Sequence, residues 1–318
     1  MCTAICFEKR YFGRTLDWMH NFDERIVISE RNFDFRFRRT EAKKHHPAIM
    51  GMAKVVDGYP LYFDAVNEYG LCVAGLNFTE SARYMPNGNS TVLCPFEFIP
   101  FILSECKSID EARELLPYIS LADEDFSPAL KNARLHFLVS DGEEAVTVEP
   151  RAEGVAIYEN EVGVLTNEPP FDYHIFNLAN YMNLTVKEAQ NRFAPQINIH
   201  SYGGGLGGVG LPGDTSSPSR FVRAAFTKFN CCEHTDDLTR FFHILGAVEQ
   251  TVGDERTQYT SCIDTRAGVY YYKTYESSAV TAVNMREHPL DGQGLLQFPL
   301  RRSQTILSSP ANQSLSKL

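Results

Sequence analysis

The residues with the clearest capacity for chemistry stand at the start of the chain, where Cys2 follows the initiator methionine in MCTAICF. Removing a methionine that precedes a small side chain leaves a residue carrying both a thiol and a free α-amine. A thiol with pKa about 8.5 is mostly protonated at neutral pH and needs a proton acceptor within about 3 Å to act as a nucleophile. The α-amine, with pKa about 7.7 to 8.0, is two bonds from the Cβ and supplies that acceptor from the same residue. A base of this kind must be held neutral and oriented. Asp17, expected on the neighbouring strand, is placed to accept its N–H, and Arg14 is placed to favour the thiolate. On these residues alone a second reading stays open, in which Cys2 belongs to an edge strand whose Ile5 and Phe7 simply face a core.

Other constellations point less firmly to chemistry. Gly203, Gly205 and Gly208 satisfy G-x-G-x-x-G, but VGLPGD follows, and a dinucleotide site needs a helix there, so a flexible or ligand-facing loop is expected. Cys231, Cys232 and His234 in CCEH lack a second group at metal-ligand spacing. His45 and His46, beside Lys43 and Lys44, suggest a solvated loop, and His243 in FFHILG suggests a core histidine. No G-x-S-x-G, H-E-x-x-H or Walker loop is present, so the usual hydrolase signatures are absent and Cys2 remains.

Composition narrows the classes. The 318 residues carry a net charge of −10 with 43% hydrophobic residues, which suits a globular protein and argues against a nucleic-acid partner. No stretch approaches the roughly 20 apolar residues of a membrane span, and no basic segment with an apolar run opens the chain, so no membrane partner and a cytoplasmic location are expected. In such a compartment the eight cysteines are expected as thiols, and the sequons at Asn77, Asn89, Asn183 and Asn312 carry little meaning.

The elements that must position these residues follow from local pattern. CTAICFE and YFGRTLDW flank a turn, RIVISE continues as a strand, and NFDFRFRR alternates Phe33, Phe35 and Phe37 with polar residues as a strand with one buried face does. LYFDAVNEYGLCVAGLNF predicts two strands turning at Asn67 to Gly70, and LHFLVSDGEEAVTVEP a hairpin turning at Asp141-Gly142. GVAIYE and EVGVLTN add short strands. Helices are expected from about Cys94, at SIDEARELLPYI with a Ser108/Glu111 capping box, and at FDYHIFNLANYM. Two more are expected at SSPSRFVRAAFTKF with Ser217 as cap, and at TDDLTRFFHILGAVEQT with Thr235 as cap. YTSCIDTRAGVYYYKTYESSAVTAVNM returns to strands. This order argues for an α+β fold of antiparallel sheets with helices packed outside, a single domain over 1–318, and a loose tail over about 303–318.

MCTAICF taken with FGRTLD, GLNF, LTNEPPF and GLPGDTSSPSRFVRAAF resembles the choloylglycine hydrolase family, the bile salt hydrolases and penicillin V acylases of the N-terminal nucleophile hydrolases. The matches run in order over nearly the whole chain. The resemblance implies a four-layer αββα sandwich, an amidase without metal or cofactor, a conjugated bile salt as small-molecule substrate, and a homotetramer. It implies Cys2 as nucleophile with Met1 removed, Arg14 and Asp17 as its supports, and Asn77 as an oxyanion-hole donor. It further implies Asn167 as the residue that positions Cys2, and Arg220 as the arginine that closes the charge network. Thr79 and Glu168 depart from the family's usual residues. Asparagine at 77 favours bile salts, and Trp18, Phe22, Tyr59 and Phe63 are candidates to line an apolar substrate pocket. The alternatives are penicillin V or an N-acyl homoserine lactone as substrate, or a non-catalytic steroid or fatty-acid binding protein on the same scaffold.

Overall fold

The computed structural model describes residues 1–88 and 90–309. Sixteen strands appear among them: β1 (Cys2–Phe7), β2 (Tyr11–Trp18), β3 (Arg25–Ser29), β4 (Ile49–Val56), β5 (Tyr59–Asn67), β6 (Cys72–Asn77), β7 (Thr91–Leu93), β8 (Ile119–Leu121), β9 (Leu135–Ser140), β10 (Ala145–Arg151), β11 (Gly154–Glu159), β12 (Val164–Leu165), β13 (Arg256–Asp264), β14 (Val269–Thr274), β15 (Ser277–Asn284) and β16 (Leu295–Pro299). They form a six-stranded sheet, β12-β1-β2-β13-β14-β15, and an eight-stranded sheet, β11-β10-β9-β6-β5-β4-β3-β16. Both are antiparallel throughout.

The two sheets lie face to face, with β1 and β2 against β6. Helices α1 (Phe98–Glu105) and α2 (Ile109–Leu115) bring apolar residues to the core on the eight-stranded sheet's outer side. Helices α4 (Ser217–Asn230) and α5 (Asp237–Gly246) cover the six-stranded sheet, and α3 (Phe171–Leu178) packs on α4. The chain is thus an αββα sandwich, and each sheet buries both faces.

Gly13 shows how closely the strands that carry the chemistry approach. A Cβ there would lie 2.2 Å from the Ser261 carbonyl oxygen of β13. Gly13→Ala is expected to destabilise the fold by about 1–3 kcal/mol, the usual cost of overpacking, read as a lower midpoint in denaturant unfolding.

Several expectations need correction. NFDFRFRR is not a strand: Phe35 makes a single bridge to Lys43, although Phe35 and Phe37 are buried as the alternation predicts. Burial here comes from an irregular segment whose rings pack on one another, Phe35 against Phe33, Phe37 and His46. His46 is buried, with its ring nitrogens 2.7 and 2.9 Å from the carbonyl oxygens of Pro47 and Phe33. His243 is exposed, because Phe241, Ile244 and Leu245 take the buried face of α5.

Cap positions shift by one residue. Ser216, not Ser217, stands at the N-cap position of α4, with its hydroxyl on Ser219 Oγ, and Asp236, not Thr235, caps α5 by accepting from Thr239 N at 2.9 Å. Ser108 accepts from Glu111 N as a cap should, but the Glu111 carboxylate takes Lys107 N and not Ser108 N. The glycine-rich loop holds one 3-10 turn, Leu206–Gly208, between irregular segments, which is no phosphate cradle. The sequons at Asn89 and Asn312 lie outside the described residues, as does the tail from 310 to 318. Before it, Gln304 is tied to Ser278.

Candidate active site

The β1–β2 hairpin builds the first half of the site. Its register pairs Cys2 with Leu16 and Ala4 with Arg14, so Cys2 and Arg14 share the sheet face that looks toward the eight-stranded sheet. Thr3, Thr15 and Asp17 occupy the opposite face, toward α4. Arg14 is fully buried and donates to the carbonyl oxygens of Phe63, at 3.1 Å, and Gly75, both on the facing sheet. Burial opposes its charge, but Cys2, Tyr259, Asp64 and Asp17 outweigh that penalty and raise its pKa.

The second half arrives from β12. That strand pairs Leu165 with Ala4, and the next two residues bring Asn167 beside Cys2. Cys2 N donates to Asn167 Oδ1 at 2.8 Å, and Arg220 Nη2 donates to the same oxygen at 2.7 Å. Asn167 Nδ2 in turn donates to the Asn77 carbonyl at 2.8 Å. Arg220, fully buried on α4, also donates to Thr3 Oγ1 at 2.7 Å, to the Cys2 carbonyl and to the Thr215 carbonyl. Burial lowers its pKa against the pull of Asp17 and Cys2.

Asp17 is close but does not accept the Cys2 N–H. Its carboxylate points through the other face of the hairpin and accepts from Thr257 Oγ1 at 2.6 Å and Thr15 Oγ1 at 3.3 Å. Burial holds it above the usual carboxylate range, although Arg220, Thr257 and Arg14 pull it down. With Met1 in place Cys2 N is a peptide nitrogen with a single N–H, and its acceptor is Asn167, 165 residues away in the chain.

Asn77 ends β6 half-buried, and among the described residues no hydrogen bond uses its side-chain amide, which leaves both N–H groups for a ligand. Glu168 ties the two asparagine segments together by accepting from Glu80 N, Ser81 N and Ser81 Oγ. Trp18, Phe22 and Phe63 meet as a half-buried aromatic cluster, with centroids 6.0 and 5.4 Å apart, beside Arg14. Tyr59 does not join them. A register shift inserts Phe63 as an extra residue in β5, so positions four apart no longer share a face, and Tyr59 packs with Phe35, Phe96 and Phe126.

Other residues of the site escaped the motifs. Thr3 and Ser217 hold Arg220 and Asn167 N respectively, the latter at 2.7 Å. Asp64, fully buried, accepts from Tyr259 and Tyr270 across the sheet interface at 2.7 and 2.6 Å. A charge inside the apolar run LYFDAVN was its visible signal. Among the described residues no group of His, Cys, Asp and Glu could hold a metal ion.

His174 accounts for one pH effect. Burial depresses its pKa to about 4. Between its ordinary pKa of about 6.5 and that value the unfolded chain binds a proton that the folded chain does not, so stability falls as pH falls. Relative to His174→Gln, wild type is expected to lose about 3 kcal/mol over that window, measured by urea unfolding at successive pH values.

The sequence profile described as linear amide C–N hydrolases, choloylglycine hydrolase family, matches residues 2–298. The chain belongs to this family. It is 44% identical over 315 residues to the bile salt hydrolase/transferase of Lactiplantibacillus plantarum, covering 95% of this chain and 97% of that protein. It is 32% identical to the bile salt hydrolase/transferase of Clostridium perfringens, covering 96% and 99%. The crystal structure of the C2A mutant of conjugated bile acid hydrolase from Clostridium perfringens superposes with a TM-score of 0.91, at 31% identity over 98% of this chain and 100% of that one. A penicillin V acylase from Agrobacterium tumefaciens shares the fold, with a TM-score of 0.74 at 18% identity over 94% and 91% of the two chains. The sandwich is thus that of the N-terminal nucleophile hydrolases.

Proposed function

We propose that this choloylglycine hydrolase family member cleaves the amide bond of glycine- or taurine-conjugated bile salts, with Cys2 as nucleophile. The observation that carries the reading is the single bonded set Cys2 N, Asn167 Oδ1, Arg220 Nη2, with Asn167 Nδ2 on Asn77. Once Met1 is removed, Cys2 N becomes a primary amine, one N–H of which stays with Asn167 while its lone pair takes the proton of the adjacent thiol. Arg14 and Arg220 set two buried positive charges around Cys2, and the Asp17 carboxylate balances them.

Attack on the substrate carbonyl forms the C–S bond and places negative charge on oxygen. A side-chain N–H of Asn77 and a backbone N–H stabilise that charge. Collapse breaks the C–N bond while the α-ammonium gives its proton to the leaving glycine or taurine. Water, deprotonated by the same amine, then attacks the thioester and restores the thiol. The rings of Trp18, Phe22 and Phe63 offer the steroid an apolar wall next to this chemistry.

We also place the protein in the cytoplasm as a homotetramer. No described helix is long and apolar enough to cross a membrane. Phe176, Phe193 and Tyr202 are 79%, 93% and 91% exposed on and after α3, an apolar surface that self-association would cover. The test is release of glycine and taurine from glycocholate and taurocholate beside release of phenoxyacetate from phenoxymethyl penicillin. Turnover of the conjugates is expected to dominate; dominant turnover of the penicillin would overturn the substrate assignment.

A further inference from the structure

The reaction as described leaves two buried histidines without a task. His136 on β9 and His174 on α3 are 0% and 1% exposed. His136 Nε2 lies 2.8 Å from the Thr166 carbonyl oxygen, and His174 Nε2 lies 2.9 Å from the Asn167 carbonyl oxygen. A carbonyl only accepts, so each Nε2 carries a proton and donates it. Two consecutive carbonyls are therefore gripped by two imidazoles.

Each ring also stacks on a phenylalanine adjoining another site residue. His136 lies on Phe78, next to Asn77, with centroids 4.3 Å apart and 6° between planes. His174 lies on Phe221, next to Arg220, at 4.7 Å and 14°. Glu149 joins the pair: its Oε1 is 3.3 Å from His136 Nδ1 and accepts at 2.9 Å from Phe171 N, the first residue of α3.

We propose that His136 and His174 are positioning residues of the hydrolysis, which keep Asn77, Asn167 and Arg220 in register around Cys2. The inference rests on the reading of Cys2 and Asn167 given above. A phenylalanine would fill either place and stack equally well, but would supply no N–H to the carbonyls. Without that bond the Asn167 peptide is free to tilt, and with it the Oδ1 that orients Cys2 N. A displacement of about 1 Å at such a group costs on the order of 100-fold in rate.

His174 adds a dependence on acid. Its Nδ1 has no hydrogen-bond partner. The groups that face it are the Asn167 carbonyl and Thr166 hydroxyl after β12, His136 on β9, Arg220 on α4 and Asp172 on its own helix. Burial, His136 and Arg220 oppose a charge on the ring, and neither the carbonyl nor Asp172 offsets them. Protonation would give Nδ1 a hydrogen with no acceptor and loosen the grip.

The test compares wild type, His174→Gln and His174→Phe as full-length mature enzymes. Glutamine keeps an N–H donor that does not titrate, whereas phenylalanine keeps only the ring. The Phe variant is expected to lose on the order of 100-fold in kcat for glycocholate with KM within about threefold, and the Gln variant to stay within about tenfold of wild type near pH 7. The activity ratio of the Gln variant to wild type is expected to rise as pH is lowered through about 4, where His174 gains its proton in the folded chain. Equal losses in both variants, or a ratio flat with pH, would overturn the inference. The flat ratio remains decisive if the Phe variant does not fold. Alkylation of Cys2 by iodoacetamide, which needs no substrate, separates the two levels. If wild type fails to turn over glycocholate but the Gln and Phe variants differ at least tenfold in alkylation rate, the positioning role stands and the substrate assignment falls.

Discussion

Cys2→Ala is expected to remove amide hydrolysis almost completely, by about 10⁴-fold or more in kcat/KM. Alanine, like cysteine, permits removal of the initiator methionine, so the variant keeps the α-amine, its bond to Asn167 and the β1–β2 register. Only the sulfur is lost. Because Cys2 is buried between β12 and β2, the missing atom costs on the order of 1 kcal/mol of stability, far too little to explain such a loss by unfolding. The variant should still bind conjugated bile salts, which equilibrium dialysis would show, and release no glycine. A binding protein on the same scaffold would instead show equal behaviour in both forms. Turnover within about tenfold of wild type would remove Cys2 from the mechanism.

Arg220→Met is expected to damage stability and rate together. Its guanidinium is a fully buried cation that serves Cys2 O, Thr3 Oγ1, Asn167 Oδ1 and Thr215 O at once. Methionine fills much of the volume but leaves those acceptors unpaired and removes the largest compensation of the Asp17 charge, a loss of about 3–5 kcal/mol. Kcat is expected to fall on the order of 100-fold, since the Asn167 side chain then has only Cys2 N and the Asn77 carbonyl to fix it. The pH dependence has a definite sign. Burial already raises the Asp17 pKa, and Arg220 is the largest influence lowering it. Without Arg220 the folded state holds a proton at Asp17 more tightly than the unfolded chain does, so the variant loses stability as pH rises through the acid range. The gap to wild type in urea unfolding should narrow on acidification. A gap constant from about pH 4 to 7 would show that Asp17 is not the partner Arg220 compensates.

The parts of the site that were legible in the sequence are those carried by local pattern. The hairpin that sets Arg14 near Cys2 follows from two apolar-rich runs around the short turn at Glu8 to Arg10, and Asn67 to Gly70 marks the β5–β6 turn by residue type. What joins Cys2 to Asn167 and Arg220 was reached through resemblance, because it depends on β12 and α4 meeting β1 across long stretches of chain. Asp17 was the nearest acceptor by sequence distance, and with Met1 in place its carboxylate accepts from Thr257 while the Cys2 N–H goes to Asn167. Tyr59 was lost for a related reason: one extra residue in β5 breaks a count of faces that no propensity reveals. His136 and His174 gave no sign beyond polar residues in apolar runs, and their meaning lies wholly in which carbonyls they reach.

The most direct test of the central claim is the intact mass of an active preparation, before and after brief mixing with glycocholate and acid quenching. The account predicts a chain lacking Met1 that gains the mass of cholic acid less one water, and peptide mapping that places the thioester on Cys2. Full activity in protein that retains Met1, or an acyl group on any other residue, would contradict it.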